Sequence, residues 1–212
     1  MKSMNDLMLH FLQDIYDAEK RGLRGMQKIA RAAAGQELKE AILQHRDQSQ
    51  QQISRLERVF EMVGKRPRGR PCAAMEGLAD EVDEAIEEGE KGPVLDAALI
   101  AGAQAVEHYE IARYGTMAAW AKQTGMAEAA QLLEQTLQEE KQSDQRLNDI
   151  ALRSANPEAE QSGAEDEEAG EEEEQPVRRR RAAAPRKTES KPAPASRGTG
   201  KKPPGRRGAA RK

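Results

Sequence analysis

The 212-residue chain sets 34 Lys and Arg against 37 Asp and Glu, so its formal charge is only −3, while aromatic residues make up just 3%. No stretch approaches the roughly 20 apolar residues of a membrane span, and Met1–Asp6 has no apolar signal region ahead of its first acid, so the expected compartment is the cytoplasm. The lone Cys72 makes no intramolecular disulfide and reads as an inert small residue.

The body, residues 1–156, is rich in Glu, Gln, Ala and Lys, a composition that favours helix over sheet. Ser3, with Asp6 three residues later, resembles a capping box. Met8, Phe11, Leu12, Ile15, Leu23, Met26, Ile29 and Ala33 then recur at helical spacing up to Gly35. A second helix spans about Glu37 to Val63, with Leu38, Ile42, Ile53, Leu56, Val59 and Phe60 as its stripe and Gly64 as its stop. The loop Lys65-Arg66-Pro67-Arg68-Gly69-Arg70-Pro71 leads to a shorter helix over about Ala73 to Glu88. Pro93 sits where a first-turn proline belongs, and the helix it opens runs to about Gln123. The short turn at Gly125 then forces a last helix, to about Ser154, to fold back antiparallel. The expected fold is all-α: a ferritin-like four-helix bundle of two antiparallel hairpins with a crossover containing a short helix.

Carboxylates interrupt the apolar stripes. The last helix reads Met126, Ala130, Leu133, Leu137, Glu140, Asp144, Leu147 on one face, and the one before it Leu99, Ala103, Val106, Glu110, Tyr114, with Glu107 a turn earlier. Glu110 and Glu140 lie symmetrically about Gly125, and Glu107 mirrors position 143, so the acids fall level with one another. Glu19 on the first helix and His45 on the second complete a candidate set of Glu19, His45, Glu107, Glu110, Glu140 and Asp144. Acids gathered in a core need a counter-charge or a metal. Only Arg113 and Lys141 are basic candidates at this level. Oxygen donors with one imidazole suit iron or manganese. Against this, a Glu-His-Tyr-Glu helix segment is more often a solvated face, and His45 alone a satisfied core histidine. His10 and His108 read as surface residues.

The chain also resembles the YciF-like ferritin-like family, small bacterial stress-associated helical bundles. The resemblance rests on Leu12-Gln13-Asp14-Ile15-Tyr16-Asp17-Ala18-Glu19-Lys20, Met75-Glu76-Gly77-Leu78, Asp96-Ala97-Ala98-Leu99-Ile100-Ala101, Val106-Glu107-His108-Tyr109-Glu110-Ile111-Ala112, Tyr114-Gly115-Thr116, and Glu139-Glu140-Lys141 with Asp144. It covers about residues 5–152 and implies a dimeric ferritin-like bundle in a bacterial cytoplasm. The Glu-x-x-His pattern of di-iron bundles is missing here. Ile42 precedes His45 at i−3, Gln48 stands where the family's glutamate is expected, and Asp144 follows Glu140 at i+4. A single-metal site, a weak site and a vestigial polar core all stay open.

Beyond the body, residues 157–176 hold ten acids and no base, and residues 177–212 hold fourteen Lys/Arg and one acid. Val177 is the only large apolar residue after Pro157, so this stretch cannot bury a core and is expected to be disordered. Removing the two blocks, of about −10 and +13, leaves about −6 on the body. The basic tail carries Arg178, Arg179, Arg180, Arg181, Arg186, Lys187, Lys201, Lys202, Arg206, Arg207, Arg211 and Lys212 as candidate contacts to duplex DNA, read without sequence preference. Its lack of aromatics argues against single-strand readout. Three readings follow: a metal-associated stress protein tethered near the nucleoid by its arm, a non-enzymatic DNA-associated protein whose bundle only dimerises, and a ferroxidase or peroxide-consuming enzyme.

Overall fold

The computed structural model describes residues 1–163. It contains helices α1 (Met4–Ala32), α2 (Gln36–Met62), α3 (Ala73–Glu88), α4 (Pro93–Gln123) and α5 (Ala127–Ile150), with no strand among the described residues. α1 pairs with α2 and α4 with α5, while α3 packs on α1 and α4 within the crossover between the two hairpins. None of these helices is long and apolar enough to cross a membrane. Residues 164–176 of the acidic block and the whole basic tail, including its candidate contacts Arg178 to Lys212, lie outside the described residues.

The helix ends follow from the sequence. The Asp6 N–H donates to Ser3 Oγ at 3.1 Å, satisfying one orphan donor of α1. Pro93 occupies the first turn of α4, where its missing N–H costs nothing. Gly64 (φ 67°) and Gly125 (φ 76°) follow α2 and α4 in the left-handed region that a side chain would strain.

Gly35 does something other than the helix stop its position suggests. Its φ is −68° and it caps the start of α2. Its backbone N–H donates to Asp96 Oδ2 at 2.6 Å, and the Ala34 N–H donates to Asp96 Oδ1 at 2.8 Å. A Cβ at Gly35 would stand 2.9 Å from Asp96 Oδ2, so the close approach is what requires glycine. Asp96 thereby ties the α1–α2 turn to the first turn of α4.

The last helix does not stop at Ser154. A π-helical turn, Ala151–Ala155, follows α5, and residues 156–163 return to α-helix. Pro157 cannot donate to the carbonyl of Arg153, and its ring crowds that group in a regular helix. The wider turn just ahead of it relieves the conflict. The helix therefore takes in the first residues of the segment that composition marks as disordered.

Two apolar cores result. One gathers Leu12, Ile15, Phe60, Tyr114, Met117 and Leu133; the other gathers Ile29, Leu38, Ile42, Leu99, Ile100, Leu147 and Ile150. Each long helix contributes to both, and the buried residues between its two contributions are polar.

Candidate metal centre

Those intervening residues form a polar layer. α1 supplies Glu19; α2 supplies His45, Ser49, Gln52 and Arg55; α4 supplies Glu107 and Glu110; α5 supplies Thr136 and Glu140. All are buried, at between 0% and 9% exposure, because the helical stripe that carries the apolar residues above and below also carries them.

Four of them converge. Ligand atoms of His45, Glu107, Glu110 and Glu140 all lie within 4.8 Å of one another. His45 Nε2 is 3.0 Å from Glu107 Oε1 and 3.5 Å from Glu140 Oε2. Ser143 Oγ donates to Glu107 Oε1 at 3.1 Å, the level pairing expected from symmetry about Gly125. Glu19 adjoins the group but accepts from the Tyr114 hydroxyl.

The electrostatics are those of acids short of positive charge. Burial pushes Glu19 up to about 7, with the Tyr114 hydrogen bond and nearby cations opposing it. Burial, then the Glu19 and Glu107 charges, hold Glu110 well above the ordinary carboxyl range. Glu140 is raised in the same way, by burial and then by Glu110 and Glu107. Burial pulls His45 down, but the Glu107 and Glu19 charges outweigh it and its imidazole sits above its ordinary value.

The donor set fits a metal ion. His45 Nδ1, Glu107 Oε2 and both Glu140 oxygens are buried without a hydrogen-bond partner among the described residues. Orphaned buried acceptors cost about 1–3 kcal/mol each. Three carboxylates and one imidazole turned into one small space are a donor set that could hold a metal ion.

Asp144 is not brought into this group. It is half-buried at the flank, accepting from Gln104 Nε2 at 3.0 Å and lying 3.2 Å from His108 Nε2. The expected counter-charges also lie elsewhere. Lys141 is exposed. Arg113 stacks on Phe11 and Tyr109 and reaches Asp14 at 3.8 Å. The buried cation of the layer is Arg55, which donates to Thr136 Oγ1 at 2.6 Å and to Glu139 Oε1 at 2.7 Å. Its one sequence signal is its place three residues after Gln52, amid Ile53, Leu56 and Val59. Cys72 is buried; its thiol caps α3 by accepting from the Met75 N–H at 3.5 Å and lies 2.9 Å from the Tyr109 hydroxyl.

Residues 3–160 match the family described as Domain of unknown function (DUF892). The chain belongs to this family. It is 46% identical over 161 residues to Protein YciF of Escherichia coli (strain K12), across 76% of this chain and 97% of that protein. Among solved structures, the Escherichia coli stress protein YciF superposes with a TM-score of 0.71 at 46% identity, covering 74% of this chain and 99% of that one. A second solved structure, YcfI from Rhodopseudomonas palustris, gives a TM-score of 0.67 at 44% identity, covering 69% of this chain and 94% of that one. The family match ends at residue 160, ahead of the basic tail.

Proposed function

We propose that this DUF892 protein is a metal-associated stress protein whose bundle holds one iron or manganese ion on His45, Glu107, Glu110 and Glu140, and whose basic arm tethers it to duplex DNA. The observation that carries the metal half is the convergence of four buried ligand atoms within 4.8 Å, with four of the group's acceptor atoms left without partners. Glu107 and Glu140 are the strongest donors because their orphaned oxygens have nothing else to engage. Glu19, engaged by Tyr114, stands in reserve beside them. One imidazole among three carboxylates is a set sized for a single ion, which favours storage or slow redox chemistry over a two-iron ferroxidase. The stress role is carried over from the Escherichia coli relative.

Metal analysis tests the first half. Protein purified without a His-tag and refolded with excess ferrous iron or manganese is expected to retain about one ion per chain, and Glu110→Ala and Glu140→Ala to retain much less. A metal-free wild type after refolding refutes the site. The DNA half is tested by electrophoretic retardation of arbitrary duplexes. Full-length protein is expected to bind at low salt, with log affinity falling against log salt at a slope of roughly −5 to −9 for six to ten phosphate contacts. A chain ending at Gly163 should not bind, because its charge of about −8, the body's −6 with Glu158 and Glu160 added, is repelled by phosphate. Equal affinity of the two chains leaves the arm a solubilising tail.

A further inference from the structure

The polar layer is not sealed. A cleft of about 270 Å³ runs between α1 and α3 and ends on His45, Glu107 and Glu110. At about 30 Å³ per water it has room for roughly nine, and an apolar cavity of about 150 Å³ already suffices to hold benzene. Its walls include Gly22, Gly25 and Met26 on α1 and Met75, Ala79 and Val82 on α3.

The two glycines have no conformational reason to be there. Both lie inside the helical span of α1, where glycine costs about 0.5–1 kcal/mol relative to alanine. Neither makes room for a packed neighbour. A Cβ at Gly25 would meet nothing within 4 Å, and one at Gly22 would meet only Met26 Cε, at 3.8 Å. Their missing side chains therefore leave space that no other described residue fills, on the wall of a passage that ends at the carboxylate group.

The wall chemistry selects what enters. Met26, Ile29, Met75, Ala79, Val82 and Val106 give the passage apolar wall, along which a hydrated cation would lose solvation. The rim sets Arg21, Arg24 and Lys28 against Glu76, Asp80 and Asp83, with Lys28 Nζ 2.5 Å from Asp83 Oδ2, linking α1 to α3, and Arg21 Nε 2.7 Å from Asp17 Oδ2. Little field remains to draw an ion, whereas a small uncharged molecule passes at low cost. We infer that the α1–α3 cleft is the access chamber of the metal centre, admitting small uncharged molecules to the face formed by His45, Glu107 and Glu110 and held open by Gly22 and Gly25. This rests on the metal reading above.

The test loads the full-length chain anaerobically with ferrous iron and follows nitric oxide binding by stopped-flow absorbance. Nitric oxide is a neutral diatomic that reports arrival at iron without turnover. Gly25→Leu is expected to keep the wild-type iron content and to slow nitrosyl formation by at least about tenfold, as for a passage open roughly one part in ten of the time. Gly77→Leu, on the exposed side of α3 with open space at its Cβ, is the control and should bind nitric oxide at the wild-type rate. If Gly25→Leu does not hold iron, Gly25→Ala, which adds one methyl to open space, takes its place and should show a smaller slowing at unchanged iron content. Wild-type nitrosylation rates in an iron-replete Gly25 variant overturn the chamber and leave the metal centre standing. A wild-type protein that takes up no iron overturns the centre, and the chamber with it.

Discussion

Replacing Glu140 by glutamine is expected to stabilise the metal-free protein near pH 7.5 and to gain nothing near pH 5. Glu140 is fully buried, neither oxygen has a hydrogen-bond partner among the described residues, and burial with the Glu110 and Glu107 charges raises its pKa well above 4.5. An acid raised in this way is carried without penalty below its unfolded pKa. As pH rises, the folded chain must keep a proton that the unfolded chain has released, at about 1.36 kcal/mol per pH unit. Between pH 4.5 and 7.5 the penalty reaches about 4 kcal/mol at most. Glutamine keeps the shape and removes the charge, but leaves amide groups short of partners at about 1–3 kcal/mol. The net gain near pH 7.5 is then at most about 1–3 kcal/mol, read as a rise in Tm of no more than roughly 10 °C for a domain of this size. Near pH 5 the penalty falls below about 1 kcal/mol and the amide cost offsets it. Thermal melts followed by circular dichroism, in chelator at both pH values, measure the difference. In manganese-loaded protein the sign should reverse, because glutamine removes a donor. A Tm lowered equally at both pH values would refute the repulsion argument and mark Glu140 as a satisfied structural carboxylate.

Four further outcomes are expected. Glu19 is pushed up to about 7 and His45 is also raised, so the metal-free wild type should lose stability as pH climbs from 5 through 7, the folded state holding protons the unfolded state has shed. Metal binding requires those protons to leave, so manganese-loaded protein should show the opposite trend, and Tm against pH with and without manganese checks both. Asp96→Ala removes two charge-assisted hydrogen bonds from the α1–α2 turn and should cost about 2–4 kcal/mol in urea unfolding; Gly35→Ala should also destabilise, by driving a Cβ against Asp96, and a neutral result for both would mean the tie carries no load.

The helices were readable because each has a start or stop with a local cause: the Ser3 cap, Pro93, and the glycines at 64 and 125. The level of the acids was readable too, since a hairpin turn reflects one helix onto the next and Gly125 marks the mirror; the Ser143–Glu107 hydrogen bond is that symmetry realised. Asp144 was not, for a reason of angle. Four residues advance a helix by about 400°, so each i+4 step drifts about 40° around the axis. Glu140 sits mid-stripe, and the next step carries Asp144 to the flank, where Gln104 and His108 meet it. Arg55 was hidden by its length, since a long side chain at a stripe edge can run out to water or inward. Only the three-dimensional placement of Thr136 and Glu139 decides that it turns in. Gly35 misled because a glycine after a helix reads as a left-handed stop, and nothing local foretells an aspartate arriving from sixty residues downstream. The last helix outruns its expected end near Ser154 because one wide turn accommodates Pro157.

The division of the interior into two apolar cores has a consequence for how the molecule comes apart. Without an ion, the layer between them is crossed by four helices and joined by polar contacts such as Arg55 to Thr136 and Tyr114 to Glu19, but it leaves the acceptors of His45, Glu107 and Glu140 unsatisfied. Either end can then open while the other stays folded, and amide hydrogen exchange would sort into two groups of protection. An ion gripped by α2, α4 and α5 at that plane would act as a rivet, making the two ends open together. Metal supply would then set the lifetime of the protein against proteolysis as well as its occupancy, so that a starved cell clears it and a replete one keeps it.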